Sequence, residues 1–147
     1  MSEKVATVHW DGAGKQGLGA ISTETGRAPL DYPYGLGSRF EDDRCGTNPD
    51  EILGAAHADC FIMALSFACE KAGFATAVID TEARVRRVPD GEGFVIDRVA
   101  LTLDATVPEM DEKRFQEVAL AAKREGLSSR VLAGVSEISL RATRRHS

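Results

Sequence analysis

A single α+β domain spanning residues 1–147 is what this sequence predicts, on three observations. Residues 52–69 form a stretch apolar on nearly every side, long enough for a core helix. Residues 78–88 and 93–106 alternate as two long strands, joined by the turn Pro89-Asp90-Gly91-Glu92. A second, amphipathic helix follows them, so strands and helices are not interleaved as repeated βαβ units. The bulk composition suits one such core. The chain has 147 residues, 43% of them hydrophobic and 28% charged, which is ordinary globular usage.

Taken in order, residues 4–10 alternate well enough for a strand, and a Gly-rich turn separates them from a second strand near 18–23. Within that turn, Gly12-Ala13-Gly14-Lys15 lacks the spacing, the following Ser/Thr and the helix of a phosphate loop, so it reads as a turn. Residues 26–48 are rich in Gly, Pro, Asp and Tyr, which predicts short strands and loops. Thr47-Asn48-Pro49-Asp50-Glu51 is a helix start: a polar cap, Pro in the first turn, and two acids against the positive helix end. The helix closes at Glu70-Lys71-Ala72-Gly73. In the strand at 78–88, Ile79, Thr81, Ala83, Val85 and Arg87 share a face. Pro108 ends the second long strand. The helix at 111–125 carries Phe115, Val118, Ala119 and Ala122 on one stripe. A short helical turn near 127–132 and a strand at 135–143 complete the chain.

Charge and cysteine usage narrow the function classes. A net charge of -5 argues against a nucleic-acid binder, whose footprint is basic. Two basic clusters, Arg84, Arg86, Arg87 and Arg141, Arg144, Arg145, read as solvated strand faces or ends. The N-terminus has no apolar signal core, and the apolar helix is marginal for a bilayer and contains His57 and Asp59. The expectation is a cytoplasmic protein that does not enter membranes. Three cysteines with no Cys-x-x-Cys pair fit free thiols. His9, His57 and His146 show no ligand spacing relative to the cysteines, so zinc is not expected. A helix apolar on all faces is hard for one chain of this size to cover, which predicts a homodimer that packs two such helices together.

Cys60 stands in Ala55-Ala56-His57-Ala58-Asp59-Cys60-Phe61. Free cysteine is commonly a small apolar core residue. A reactive role needs the thiolate. Cys60 lies about three turns into the helix, beyond the reach of the dipole, so a cation from elsewhere must supply the stabilisation. His57, one turn earlier, reads as a hydrogen-bonded core residue rather than a base.

The run Gly46-Thr47-Asn48-Pro49-Asp50-Glu51-Ile52-Leu53-Gly54-Ala55-Ala56-His57-Ala58-Asp59-Cys60-Phe61-Ile62-Met63-Ala64-Leu65-Ser66 resembles the central helix of the OsmC/Ohr family. His57 places it nearest the OsmC branch, and Tyr34-Gly35-Leu36-Gly37-Ser38-Arg39-Phe40-Glu41 resembles that branch's arginine segment. The resemblance implies an intertwined homodimer, with antiparallel sheets wrapped around buried central helices and two sites at the subunit interface. It also implies thiol-dependent reduction of organic hydroperoxides and hydrogen peroxide, with no metal and no bound organic cofactor. Cys60 matches the peroxide-attacking cysteine, Arg39 the arginine that stabilises the thiolate, and Asp50 the acidic position, normally Glu, that holds the arginine. Asp50 and Cys60 are separated by about 15 Å of helix, so the arginine–carboxylate pair is expected to come across the dimer interface.

Two departures qualify the resemblance. Gly126 and Leu127 fall where the family carries its resolving cysteine and the following proline, and Asp50 is one methylene short of the usual Glu. Cys69 lies about 13 Å further along the helix from Cys60, beyond disulfide reach, and Cys45 becomes a substitute only if the partner subunit brings it near. The expectation is therefore a one-cysteine hydroperoxide reductase that uses an external thiol or dithiol. The alternatives are a redox sensor or small-molecule-binding protein without turnover, and a different thiol-dependent hydrolase or transferase on the same scaffold.

Overall fold

The computed structural model describes residues 6–11, 18–23, 32–34, 47–126, 130–135 and 137–145. Two compact units make up the chain, Met1–Ile52 and Leu53–Ser147. The first contains a three-stranded antiparallel sheet in chain order: β1 (Ala6–Asp11), β2 (Leu18–Thr23) and β3 (Tyr32–Tyr34). β1 and β2 pair from Ala6↔Thr23 to Asp11↔Leu18, the hairpin that the alternation at 4–10 and 18–23 predicts. The Thr47 amide donates to the Pro33 carbonyl at 2.8 Å, which ties β3 to the approach of the long helix.

That helix, α1, runs Pro49–Lys71. Its start is built as the sequence indicates: the Asn48 side-chain oxygen accepts from the Glu51 amide at 2.9 Å, satisfying one of the helix's unpaired donors. Its end is a Schellman closure. Phe74 donates to the Cys69 carbonyl and Gly73 to the Glu70 carbonyl, both at 2.9 Å, and Gly73 takes φ +92°, where a side chain would be strained.

The second unit holds a sheet in the order β4-β5-β6. β4 (Val78–Asp90) and β5 (Gly93–Thr106) form an antiparallel hairpin from Val78↔Thr106 to Asp90↔Gly93. Its two-residue turn starts with Gly91 at φ 61°, a conformation glycine adopts without steric cost. Helix α2 (Glu112–Glu125) follows, with Asp111 as N-cap accepting from the Arg114 amide at 2.7 Å. The chain then returns as β6 (Glu137–Arg145), shifted two residues toward the C-terminus from the expected 135–143.

β6 lies parallel to β5. The second sheet is therefore mixed, where the resemblance implied antiparallel sheets. The reason is the connection: a chain that leaves β5 through α2 makes a crossover, and crossovers join parallel neighbours. The core sits between this sheet and the helices. Leu101, Leu103 and Ala105 of β5 pack with Phe61, Leu65 and Cys69 of α1 and with Phe115, Val118, Ala119 and Ala122 of α2. α1 approaches β4 closely at Gly54, where an added Cβ would stand 3.1 Å from a Val85 methyl.

Candidate functional site

Cys60 takes its position from the way α1 is packed. One face of the helix is buried: Gly54, His57, Ala58, Phe61, Leu65 and Cys69, spaced three and four apart. At about 100° per residue, Ala56, Cys60, Met63 and Phe67 fall within about 60° of one another on another face. Ala56 is exposed and Cys60 half-buried, while Met63 and Phe67 are 65% and 69% exposed. The expectation that an all-apolar helix is buried all round thus holds for one side of α1. The second unit's sheet meets that side and leaves an apolar seam with Cys60 in it. The four–three–four spacing of 56, 60, 63 and 67 was legible in the sequence, but uniform apolarity gave no sign of which face the sheet would take.

The other groups on α1 differ from Cys60 in environment. Cys69, half a turn around the helix from Cys60, is fully buried, and desolvation pushes its thiol pKa up. It is therefore held as an inert thiol. His57 is 2% exposed, and burial pushes its pKa below the ordinary value. A neutral imidazole is a core residue here and supplies no positive charge to a thiolate. Cys60 and Cys69 are both free, and nine residues of helix keep them about 13 Å apart.

Of the remaining expected site residues, Asp50 lies in the first turn of α1, about 15 Å along the helix from Cys60. Arg39 and Cys45 lie outside the described residues, so the grouping of Arg39, Asp50 and Cys60 is not observed. Gly126 caps α2 with φ -61° and ψ 134°, an extended conformation open to any residue. Nothing in its backbone demands glycine, so the missing thiol there is a chemical difference and not a conformational necessity. Leu127 lies outside the described residues. Among the described residues, no three His, Cys, Asp or Glu side chains are placed to hold a metal ion.

Comparison with known proteins places this arrangement among relatives. The family model described as OsmC-like protein matches residues 40–141. Peroxiredoxin OsmC of Escherichia coli is 43% identical over 129 residues, covering 88% of this chain and 89% of that protein. An organic hydroperoxide resistance protein of Xanthomonas axonopodis is 32% identical over 106 residues, covering 70% and 69%. Among solved structures, an OsmC-like protein of unknown function from Vibrio cholerae superposes with a TM-score of 0.77 at 12% identity, over 97% of this chain and 99% of that one. An organic hydroperoxide resistance protein from Elizabethkingia anophelis gives 0.73 at 20% identity, over 99% and 98%. At such identities the structural likeness speaks for the fold alone.

Proposed function

The chain belongs to the OsmC-like protein family, and on that premise we propose that it is a peroxiredoxin-like reductase of organic hydroperoxides and hydrogen peroxide that works through Cys60 with no resolving cysteine. The observation that carries the reading is the contrast between two thiols on one helix: Cys60 on the open apolar seam, Cys69 sealed in the core. The names of relatives at 43% and 32% identity, a peroxiredoxin and an organic hydroperoxide resistance protein, support the reaction class.

In the proposed cycle the Cys60 thiolate attacks the terminal peroxide oxygen and the O–O bond breaks. The departing alkoxide takes a proton and leaves as the alcohol, or as water when the substrate is hydrogen peroxide. Cys60 is then a sulfenic acid. One sulfur of an external dithiol displaces water from it to give a mixed disulfide, and the second sulfur releases Cys60 as a thiol while the reductant closes its own disulfide. Arg39 is assigned the role of stabilising the thiolate, and Asp50 that of holding Arg39. Because Asp50 and Cys60 of one chain are far apart, the pair is proposed to come from a second copy. That copy would cover Met63 and Phe67, so the homodimer completes the site as it buries the seam.

Rapid mixing of reduced protein with limiting cumene hydroperoxide, followed by thiol counting and intact mass, tests the proposal. The expected result is peroxide loss and the gain of one oxygen, both absent in Cys60→Ser, with repeated turnover once a dithiol such as dihydrolipoamide is added. A rate no greater than that of Cys60→Ser would sink the reductase reading. Gly126 itself favours the second reading, a redox sensor: oxidation that halts at a stable sulfenic acid despite added dithiol would select it. Gly126→Cys checks the one-cysteine step separately, with an internal disulfide expected after one equivalent of peroxide in the variant and not in the wild type.

A further inference from the structure

Two basic clusters that are far apart in sequence, one on β4 and one on β6, flank the same strand. On the face of the second sheet turned away from the helices, the register sets Glu82 beside Thr102 and Arg141, then Arg84 beside Ala100 and Ser139, then Arg86 beside Arg98 and Glu137. The small side chain of Ala100 leaves a depression between the longer ones. The result is a cup of about 690 Å³ with Arg84, Arg98, Ala100, Thr102 and Arg141 in its lining, a volume in the range of small-molecule sites.

Most charges on this face are matched. Arg86 grips Asp97 through two hydrogen bonds of 2.9 and 2.7 Å. Arg84 is paired with Glu82. Arg145 spans Asp80 and Asp104 at 3.3 and 3.2 Å. Two guanidiniums remain under-used. Arg98 reaches Glu137 at 3.6 Å, and its Nε, closed off from solvent, makes no hydrogen bond. Arg141 is exposed and has no ion-pair partner among the described residues. A guanidinium presents a planar fork of donors that fits phosphate or carboxylate oxygens in pairs. These two stand on neighbouring strands two rows apart, with Ala100 in the row between them and the Thr102 hydroxyl beside Arg141, and both line the cup.

We infer that this cup is a binding site for a small multivalent anion bearing phosphates or adjacent carboxylates, held by Arg98 and Arg141. The lining also holds acids, Glu82 in Arg141's own row and Asp80 and Asp104 in the row beyond it, and these limit the ligand's size. They are neutralised locally by arginines, yet a long polyanion laid across the face would meet all three. The site is separate from Cys60, because the buried face of β5 and helix α1 lie between the cup and the helix's open seam.

Isothermal titration of the full chain with pyrophosphate and with citrate, at constant ionic strength, tests this. Three variants are compared with the wild type: Arg98→Ala, Arg141→Ala, and Arg124→Ala, which removes the same charge from the exposed surface of α2. Saturable binding of either probe is expected, weakened about tenfold or more by each cup variant and unchanged by Arg124→Ala. The tighter probe identifies phosphate or carboxylate as the ligand chemistry. Thermal melts confirm that the variants fold, and Arg141→Ala, at an exposed position, keeps the test valid if Arg98→Ala does not. The inference is overturned if neither probe binds saturably, or if Arg124→Ala weakens binding as much as the cup variants do.

Discussion

The two long helices solve the same packing problem in different ways. α2 marks its own orientation: Phe115, Val118, Ala119 and Ala122 face the core, and most of the remainder is charged. α1 has no such marking. It buries the side that runs from Gly54 to Cys69 and holds Met63 and Phe67 out to solvent. An amphipathic helix states which side the fold will cover. A helix apolar all round states only that every side needs cover, and here one side remains exposed. The comparison is sharpest at Phe67. Phe67→Glu is expected to weaken self-association by about two orders of magnitude, since roughly 2–3 kcal/mol of burial is lost, and to remove peroxide turnover with it. Leu120→Glu, at the half-exposed apolar position of α2, should change neither. Light scattering across a dilution series reads both, and equal behaviour of the two variants would break the contrast.

The two sides of α1 should also respond differently to truncation. Leu65 is fully buried against β5 and α2, so Leu65→Ala is expected to cost about 2–5 kcal/mol at any protein concentration. Met63→Ala creates no cavity within one chain, and its cost should appear only where subunits associate, growing with concentration. Urea unfolding at two protein concentrations separates them.

Much of this arrangement was legible in the sequence because local signals agreed with the fold. The Asn48 cap, the Gly73 and Gly91 positions and the α2 stripe each rest on a few neighbouring residues, and the structure has them where the pattern puts them. The direction of β6 was not legible, since strand alternation is the same in parallel and antiparallel pairs and only the crossover through α2 decides it. Nor was the placement of Arg98 and Arg141 on one face of one cup, which depends on register between strands about forty residues apart. For the candidate site, Cys60 stood out through its family resemblance, while its place at the edge of the open seam depends on which side of α1 the sheet takes.

His57 separates the core side of α1 from its seam by pH. Its folded pKa lies below the ordinary 6.5, so the unfolded chain binds the proton more readily than the folded one. The stability this neutral imidazole confers is complete above about pH 6.5 and is lost as pH falls through and below that value. Thermal midpoints should therefore drop between pH 7 and pH 5, and His57→Gln should flatten the slope. An unchanged slope in the variant would assign the acid sensitivity to other groups.

The smallest effect expected concerns how the two helices begin. Asn48 and Asp111 each accept a hydrogen bond from the amide three residues on, at 2.9 and 2.7 Å, and removal of such a cap costs about 1 kcal/mol. The two losses should not be equal. Asp111 carries a full negative charge at the positive end of α2, whereas Asn48 is neutral and two acids of α1's own first turn, Asp50 and Glu51, already meet its dipole. Asp111→Ala is thus expected to cost a few tenths of a kcal/mol more than Asn48→Ala, and raising the salt concentration should narrow the gap by screening. If Asn48→Ala costs more at low salt, then the start of α1 is held by more than its cap bond. In that case the segment leading into the helix, which the family resemblance ties to Arg39 and Asp50, contributes to stability as well as to the site.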